Sequence, residues 1–347
     1  MSATGRKKAR LKNSLDTGRI IVTGGAGFIG SALIWGLNLR GIDDILVVDR
    51  LHADEKWKNL AALRFADYID ADDFEDTILQ SPQRFVDAKT IFHLGACSAT
   101  TETDAAYLMR NNFQYTKHIA AWALYKGARF LYASSGATYG AREAGLSEDI
   151  PLDQLRPLNM YGYSKHLFDQ YAERSGWLAR ITGLKYFNVF GPNEQHKGDM
   201  RSVAHKAFGQ IRDRGTVRLF RSYRPDYADG EQERDFIYVK DAVDMTLHLA
   251  ESNAMGLYNV GSGAAHTWLE LVRPIFTALR VPERVEFIDM PATMRDKYQY
   301  STKADIDHLR ASGYAKAVTP LSDAVTDYVT NYLRDDRRLE PAAVLVA

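Results

Sequence analysis

The segment NMYGYSK, residues 159–165, contains groups that can transfer a proton. Tyr161 lies four residues before Lys165, and positions i and i+4 share one face of a helix, so the phenol and the ammonium can face a common cleft. Tyr163 is two residues from Lys165 and would face the other way, which favours a structural role. A neighbouring ammonium lowers the pKa of a phenol, normally about 10, and makes it a usable base. We therefore predict that Tyr161 transfers protons with Lys165 beside it.

Three other side chains are candidates for the same chemistry. The apolar run RFLYASS ends in Ser134 and Ser135, whose hydroxyls would lie at the end of a strand. The stretch FGPNEQHKGDM follows an aromatic strand and contains Lys197. A partly desolvated lysine can act as an acid or base, whereas a lysine in a polar loop is usually solvated. Lys197 is therefore either a second proton-transfer group or a surface charge.

A glycine-rich turn indicates a dinucleotide site. TGGAGFIG, residues 23–30, places Gly24, Gly27 and Gly30 at G-x-x-G-x-x-G spacing between a predicted strand and a predicted helix. Glycines allow a tight turn and close approach of a pyrophosphate, which the free N–H groups at the helix start attract. Asp49 ends the next predicted strand, 19 residues after Gly30. At that position a carboxylate accepts hydrogen bonds from the adenosine ribose.

The cations after Asp49 bear on the type of dinucleotide. Arg50 follows directly, and Lys56 and Lys58 come shortly after in HADEKWKNL. Guanidinium and ammonium groups supply the charged donors that suit a 2′-phosphate. We therefore predict NADP as the cofactor, with NAD as the alternative. The alternative interpretation is that these side chains are solvated charges in a loop.

Apolar strand-like runs alternate with helix-like stretches along most of the chain. RIIVTGG, DILVVD, TIFHLGA, RFLYASS and ITGLKYFNVF are the predicted strands. Such alternation predicts an α/β fold with a Rossmann-type doubly wound parallel sheet. A smaller α/β substrate lobe would be interleaved with it in sequence. We divide the chain into a flexible tail (1–18), a dinucleotide-binding domain (19–186, returning near 232–262 and 300–313), a substrate lobe (187–231, 263–299 and 314–334) and a loose C-terminus (335–347).

Composition limits the class of partner. The 44 Lys and Arg residues equal the 44 Asp and Glu residues, so no overall field favours nucleic acid or an anionic membrane. The single cysteine, Cys97, excludes an intrachain disulfide and is expected to be buried. There is no signal-peptide core and no apolar run of about 18 or more residues. We expect a cytoplasmic enzyme with a small-molecule substrate.

Taken together, these motifs resemble the extended short-chain dehydrogenase/reductase family, also described as NAD-dependent epimerases and dehydratases of nucleotide sugars. The resemblance covers residues from about 19 to 332. FHLGACSATTETD, NMYGYSKHLFDQY, YFNVFGPNEQHKG and RDFIYVKD are similar to the members that invert C6 of an ADP-linked heptose for lipopolysaccharide. The resemblance implies an isomerase with tightly bound NADP, a nucleotide-sugar substrate and a homo-oligomer, specifically a pentamer.

The resemblance also implies roles for single residues. Tyr161 would be the first acid/base, Lys165 would orient the nicotinamide ribose, and Lys197 would be the second acid/base. The implied cofactor contacts are Gly24, Gly27, Phe28, Ile29, Gly30, Asp49, Arg50, Lys56, Asp67, Gly95, Ala96, Ser98 and Asn111, with Asp67 near the adenine. The implied substrate contacts, besides Lys197, are Asn188, His205, Arg221, Arg234 and Tyr298.

Three positions depart from the family pattern. Arg50 stands where relatives carry Asn, Ala71 replaces an expected lysine contact to the 2′-phosphate, and Leu94 stands where relatives carry Glu. A 4-epimerase, a reductase and a 4,6-dehydratase remain alternatives. A dehydratase needs a carboxylate pair after the serine-rich strand, where ASSGATYG supplies Ala and Thr. A non-catalytic dinucleotide sensor is disfavoured by the intact Tyr161 and Lys165.

Overall fold

The computed structural model describes residues 14–295 and 298–341. Its strands are β1 (Arg19–Thr23), β2 (Ile45–Asp49), β3 (Asp67–Asp70), β4 (Ala88–His93), β5 (Arg129–Ser135), β6 (Thr182–Tyr186), β7 (Asn188–Phe190), β8 (Val217–Phe220), β9 (Glu233–Arg234), β10 (Phe236–Tyr238), β11 (Gly256–Val260), β12 (His266–Thr267) and β13 (Val285–Ile288). Its α-helices are α1 (Phe28–Leu39), α2 (Ala71–Gln80), α3 (Ala105–Leu108), α4 (Tyr115–Lys126), α5 (Met160–Arg174), α6 (Val203–Arg214), α7 (Val239–Glu251), α8 (Trp268–Leu279), α9 (Ala292–Arg295), α10 (Asp307–Ala311) and α11 (Leu321–Tyr328). None of these helices is long and apolar enough to cross a membrane.

Seven of these strands form one parallel sheet in the order β11-β6-β5-β4-β1-β2-β3. Successive strands run outward from β1 on one side and from β4 on the other, so the strand order reverses between β1 and β4. Ligands of doubly wound sheets bind at the carboxyl ends of the strands beside such a reversal. The predicted fold class, a doubly wound parallel sheet, is confirmed, and its switch point lies beside the glycine-rich turn.

The buried strands explain why the sequence reads as continuous apolar runs. Ile20 and Val22 of β1 join a core cluster shared with α1 and α7, whereas Ile21 joins a cluster shared with α2, α4 and α5. Side chains of a strand alternate between the two faces of a sheet, and here helices cover both faces. All three side chains are fully buried. The sheet therefore forms a rigid platform whose carboxyl edge carries the loops.

The smaller lobe consists of short two-stranded sheets and helices. Strand β7 pairs with β10 and β8 pairs with β13, both parallel, while β9 and β12 pair antiparallel. Helices α6 and α11 pack against α8. Strand β11 returns to the central sheet after β7 to β10 of the lobe, so the two parts interleave in sequence. The residue bounds that we assigned to them remain predictions.

The C-terminal segment differs from the loose end expected from residue 335 onward. Leu339 is buried, and its backbone N–H donates to Asn193 Oδ1 at 2.9 Å. Trp35 Nε1 of α1 donates to the carbonyl of Glu340 at 3.1 Å. These contacts with residues far away in sequence hold 335–341 against the sheet's loops. Residues 1–13 of the expected tail and residues 342–347 lie outside the described part of the chain.

Candidate active site

The glycine-rich turn has the shape that a dinucleotide requires. Gly24 has φ +67°, and a Cβ there would lie 2.6 Å from the backbone nitrogen of Gly95. A Cβ on Gly30 would lie 2.0 Å from the Gly24 carbonyl oxygen, so neither position accepts a side chain. Gly27 precedes α1, which begins with no side-chain cap. The first N–H groups of α1 are thus available to a pyrophosphate, which fits the predicted cofactor.

Asp49 occupies the end of β2 as predicted. Its carboxylate accepts hydrogen bonds from Ala26 N at 2.8 Å, Arg50 N at 2.7 Å and Lys56 Nζ at 2.9 Å. Asp49 and Lys56 are both largely buried at the edge of the cleft. The charge of Asp49 is therefore already matched by Lys56. Lys58 instead pairs with Glu55 at 2.7 Å and is not among the residues that line the cleft.

Arg50 has a carboxylate partner that sequence reasoning did not anticipate. Its Nε lies 3.1 Å from Asp72 Oδ1, its Nη2 also contacts that oxygen, and its Nη1 donates to Asn111 Oδ1 at 3.1 Å. The Arg50 guanidinium lowers the pKa of Asp72. Because Asp72 lies in the first turn of α2, beyond the neighbouring strand β3, only the folded chain brings it to Arg50.

Asp67, which the resemblance places near the adenine, lies away from the cleft in this structure. The register of β2 and β3 pairs Asp67 with Leu46 and Asp70 with Asp49. Asp67 thus lies at the amino end of β3, about 10 Å from the carboxyl edge at the usual rise per residue. It is exposed and does not line the cleft. The expectation came from the family resemblance alone, and β3 begins at Asp67 and ends at Asp70.

Helix α5 brings Tyr161 and Lys165 to the cleft together. The helix begins after Asn159, whose side chain accepts a hydrogen bond from Gly162 N at 2.8 Å. Tyr161 and Lys165 both line the cleft, and Tyr163 on the opposite side is 44% exposed. The structure therefore places Tyr161 and Lys165 on one face of α5, as their i, i+4 spacing predicts.

The electrostatics of this pair differ from the expectation. Burial raises the pKa of Tyr161, and the hydrogen bond with the Ser135 side chain opposes this effect. Burial lowers the pKa of Lys165 to about 8, and its Nζ donates to the Ala133 carbonyl at 2.9 Å. Tyr161 is therefore a neutral phenol in this structure. The side chain that favours its ionisation is Ser135.

The two adjacent serine side chains have different hydrogen-bonding partners. Ser134 Oγ donates to the buried carboxylate of Asp169 at 2.7 Å, whereas Ser135 contacts Tyr161. Tyr132 OH donates to the same carboxylate at 2.8 Å, and Lys185 Nζ lies 2.9 Å from it. Neighbouring residues of a strand point to opposite faces. Ser134 lines the cleft, yet its hydroxyl belongs to this buried network.

The ion pair in this network gives a stability prediction. The side chains of Lys185 and Asp169 are 1% and 0% exposed. Lys185→Met removes the cation bonded directly to a buried carboxylate, so we expect the free energy of unfolding to fall by about 3–5 kcal/mol. Urea denaturation at neutral pH measures this change.

The matched control is Lys316→Met. Lys316 pairs with Asp244 at 2.6 Å, but its side chain is 69% exposed, so the expected loss is below about 1 kcal/mol. If the two variants lost equal free energy of unfolding, the burial of the Lys185–Asp169 ion pair would not explain its contribution to stability.

Lys197 lies in the same cleft as Tyr161 and Lys165. Its Nζ is 5.4 Å from the centroid of the Phe28 ring, at the start of α1. Burial lowers the pKa of Lys197, the charge of Glu194 raises it, and the charge of Lys206 lowers it. The surface-charge interpretation is therefore not supported by the position of the side chain. The chemical role of Lys197 remains a prediction.

Long-range contacts hold the loop that carries Lys197. Asn193 is fully buried with φ +81°, a conformation that asparagine tolerates better than most residues. Its Nδ2 donates to Ser31 Oγ at 2.9 Å, and its carbonyl accepts from Asn59 Nδ2 at 3.0 Å. The loop is thus fixed to α1 and to the segment after β2.

The cleft has a volume of about 430 Å³. Of the predicted cofactor and catalytic residues, all line it except Asp67 and Ser135. Sequence reasoning missed several lining side chains, among them His52, Cys97, Tyr107, Tyr186, His196 and Met200. Cys97 was expected to be buried, but it is partly exposed in the cleft. The sequence feature that could have placed Cys97 in the cleft is its position directly after Gly95 and Ala96, at a strand end.

The predicted substrate contacts other than Lys197 lie outside this cleft lining. The structure brings two of them together: the Arg234 guanidinium lies 5.0 Å from the Tyr298 ring centroid and 5.6 Å from that of Trp268. Burial lowers the pKa of Arg234, and its Nη1 donates to the Glu233 carbonyl at 2.7 Å. Trp268 Nε1 donates to Tyr298 OH at 2.9 Å. This is a preformed aromatic and cationic surface.

The other three predicted substrate contacts have different surroundings. Arg221 lies 3.5 Å from Asp229 and 3.8 Å from Asp289. Burial lowers the pKa of His205 to about 4, and its backbone N–H donates to the Ser202 cap of α6. Asn188 is exposed at the start of β7. Their assignment to substrate remains a prediction.

A glycine-rich turn at the switch point, a carboxylate at the end of β2 and a tyrosine–lysine pair on α5 line one cleft. The sequence pattern of the NAD dependent epimerase/dehydratase family matches residues 20–261, from β1 through β11. The chain belongs to this family. As a family member it uses a nicotinamide cofactor, and the free N–H groups at the start of α1 fit the pyrophosphate of that cofactor.

This epimerase/dehydratase family member has named relatives that match about 90% of its length. It is 52% identical over 315 residues to the ADP-L-glycero-D-manno-heptose-6-epimerase of Nitratidesulfovibrio vulgaris strain DP4, covering 90% of this chain and 97% of the relative. It is 44% identical over 325 residues to the protein of the same name from Fusobacterium nucleatum, covering 90% and 98%. The crystal structure of the Helicobacter pylori enzyme of that name has a TM-score of 0.78 at 27% identity, covering 92% and 98%. The similarity therefore includes the substrate lobe.

Proposed function

We propose that this protein inverts C6 of the heptose in ADP-D-glycero-D-manno-heptose to give ADP-L-glycero-D-manno-heptose. The observation that carries the proposal is that Tyr161 and Lys197, from separate segments of the chain, line one cleft with the glycine-rich turn. The names of the full-length relatives support the same substrate. The product would enter lipopolysaccharide core synthesis.

Epimerisation at this carbon needs two proton-transfer groups. A base would take the hydroxyl proton at C6, and a bound nicotinamide would accept the hydride, so that C6 would become a planar ketone. Return of the hydride to the opposite face would then require an acid to protonate the oxygen. C6 is exocyclic, so the oxygen lies in different places before and after inversion. An acid or base must approach within about 3 Å of its proton, and one side chain can hardly serve both positions.

The two side chains suit this division of roles. Tyr161 is a half-buried phenol with a raised pKa and with Ser135 as a hydrogen-bonding partner, so it can donate a proton and accept it again. Lys197 has a lowered pKa, which brings its amine closer to the range where it both gains and loses a proton. In the proposed reaction each group serves one orientation of the C6 hydroxyl. Lys165 would orient the nicotinamide ribose.

Substrate binding would involve the lobe. A diphosphate prefers arginine because the planar guanidinium binds two oxygens at once. Arg234 is 8% exposed and contacts two aromatic rings, which orients its donors before substrate arrives. We assign Arg234 to the diphosphate and Tyr298 to the nucleotide. Asn188, His205 and Arg221 are further proposed contacts from the family resemblance.

We further propose NADP rather than NAD as the cofactor. Lys56 neutralises Asp49, so the carboxylate that normally binds a ribose hydroxyl does not repel a 2′-phosphate, and Arg50 lies beside it. Arg50 would supply the cationic contact that the family resemblance expects from a lysine at the position of Ala71. We also expect a cytoplasmic homo-oligomer, a pentamer by resemblance.

Cofactor preference can be measured by calorimetric titration. Arg50→Ala is expected to weaken NADP+ binding by roughly tenfold or more, since a hydrogen bond to a charged group contributes about 1.5–3 kcal/mol. NAD+ binding should change by less than about threefold, because no phosphate contact is lost. Asp72→Asn is the matched variant: it releases Arg50 and should tighten NADP+ binding. If Arg50→Ala weakened the binding of NADP+ and NAD+ equally, Arg50 would have a structural role and would not contact the 2′-phosphate.

The activity is tested by proton NMR of ADP-D-glycero-D-manno-heptose incubated with purified protein and no added oxidant. The H6 signal should change to that of the L-glycero isomer with no net loss of cofactor. Absence of conversion by cofactor-loaded protein would contradict the proposed substrate and direct the search to other nucleotide sugars.

A further inference from the structure

The loop that carries Lys197 contains a buried carboxylate three residues earlier. Glu194 is 1% exposed, and its carboxylate accepts hydrogen bonds from four donors. Gly191 N donates to Oε1 at 3.3 Å, Ser202 N to Oε2 at 2.5 Å, Ser202 Oγ to Oε1 at 2.7 Å and Tyr328 OH to Oε1 at 3.0 Å. A cluster of donors around one carboxylate favours its ionised form.

These contacts join elements that are far apart. Gly191 begins the loop, Ser202 is the cap of α6 at the loop's other end, and Tyr328 ends α11 of the substrate lobe. The backbone N–H of Lys197 also donates to the Glu194 carbonyl at 3.0 Å. Glu194 therefore closes the loop on itself and connects it to the lobe. The position of Lys197 in the cleft depends on this closure.

Glu194 also acts on the charge of the Lys197 amine. Burial raises the pKa of Glu194 above its usual value, and the hydrogen bonds from Ser202 and the charge of Lys197 offset this effect only in part. In return, the charge of Glu194 raises the pKa of Lys197 against the effect of burial. The other charged groups facing Lys197 are Lys206 on α6 and His196, which in turn lies near Lys56, Asp49 and Asp54. Glu194 is the group in this set that opposes loss of the proton from Lys197.

We propose that Glu194 is a positioning residue for Lys197: its buried carboxylate closes the loop over residues 191–202 and faces the amine with a compensating negative charge. This inference rests on the proposed function, because it assumes that Lys197 transfers a proton. Glu194 itself does not line the cleft and acts through Lys197.

The test is the pH dependence of kcat/KM in Glu194→Gln. Loss of the negative charge should move the midpoint that belongs to Lys197 downward, because a nearby opposite charge favours the protonated amine. Turnover at pH 7.5 should fall roughly tenfold, because the loop loses its closure and a catalytic group must stay close to its proton. Lys206→Met removes a positive neighbour and should move the same midpoint upward.

Asp199→Asn is the matched control. Asp199 is an exposed carboxylate in the same loop, and its removal changes the charge by the same amount. We expect its pH profile to match that of the wild type. A wild-type midpoint in Glu194→Gln, or an equal shift in Asp199→Asn, would overturn the proposal.

A second measurement does not depend on activity. Reductive methylation with ¹³C-formaldehyde labels the lysines, and the Lys197 signal, identified by its loss in Lys197→Met, titrates with pH in NMR spectra. Its midpoint should be lower in Glu194→Gln than in the wild type. If that variant does not fold, Glu194→Asp keeps the charge and shortens the side chain. It should then lower turnover with an unchanged midpoint, and wild-type turnover would overturn the proposal.

The failure of this inference differs from the failure of the proposed function. Full activity of Lys197→Met would remove Lys197 from the reaction altogether. An inactive Lys197→Met together with an unshifted midpoint in Glu194→Gln would leave the reaction intact and reject only the role of Glu194.

Discussion

Tyr161→Phe is expected to lower kcat by about 10²–10⁴-fold, the range of a single general acid or base. The substitution removes only the phenolic oxygen, and the ring keeps its packing at the start of α5. NADP+ binding should therefore change by less than a factor of about ten, since at most one hydrogen bond is lost. Conversion of the ADP-heptose followed by NMR, together with calorimetric titration of the cofactor, measures the two quantities.

Tyr163→Phe provides the matched control on the same helix. Tyr163 is 44% exposed and faces away from the cleft, so its hydroxyl should be dispensable and kcat unchanged. If Tyr161→Phe retained wild-type turnover, or if Tyr163→Phe lost it, the assignment of the first acid/base group would be wrong.

Lys197→Met is expected to give a second loss of the same size, about 10²–10⁴-fold in kcat. Methionine has a similar length and apolar character, so it fills the space beside Phe28 but carries no proton. The cofactor contacts predicted for the glycine-rich turn and Asp49 do not involve Lys197, and NADP+ affinity should be retained. Steady-state kinetics should place the loss in kcat rather than in KM.

Lys89→Met is the control for the loss of one positive charge. Lys89 is exposed at the amino end of β4, the edge of the sheet opposite to the cleft. Its substitution should leave kcat and KM unchanged. A loss confined to KM in Lys197→Met would make Lys197 a substrate-binding residue, and unchanged kinetics would return it to an ordinary surface charge.

Some of this site followed from short stretches of sequence. The i, i+4 spacing of Tyr161 and Lys165 sets both side chains on one helix face whatever surrounds the helix. The glycine positions of the turn, and Asp49 at the end of an apolar strand, follow from steric requirements between neighbouring residues. The alternation of strands and helices predicted the fold class, because a buried parallel sheet leaves an apolar pattern in every strand.

Other assignments depended on the strands' register and direction. Ser134 and Ser135 are equivalent in the sequence, but one side chain enters the Asp169 network and the other contacts Tyr161. Asp67 and Asp70 are separated by a strand length, and only the pairing of β3 with β2 decides which reaches the carboxyl edge. A local pattern identifies a strand more reliably than its ends or its register.

The sequence by itself determined the fold class, the dinucleotide turn and the shared face of Tyr161 and Lys165, since each depends on residues within a few positions of one another. Tertiary structure decided the rest. Lys197 lies in the cleft because Asn193 bonds to Ser31 of α1 and Glu194 to Tyr328 of α11, residues more than 130 positions away. Arg50 is ion-paired because α2 brings Asp72 beside it. Such contacts arise only when distant segments pack together, so no local spacing records them.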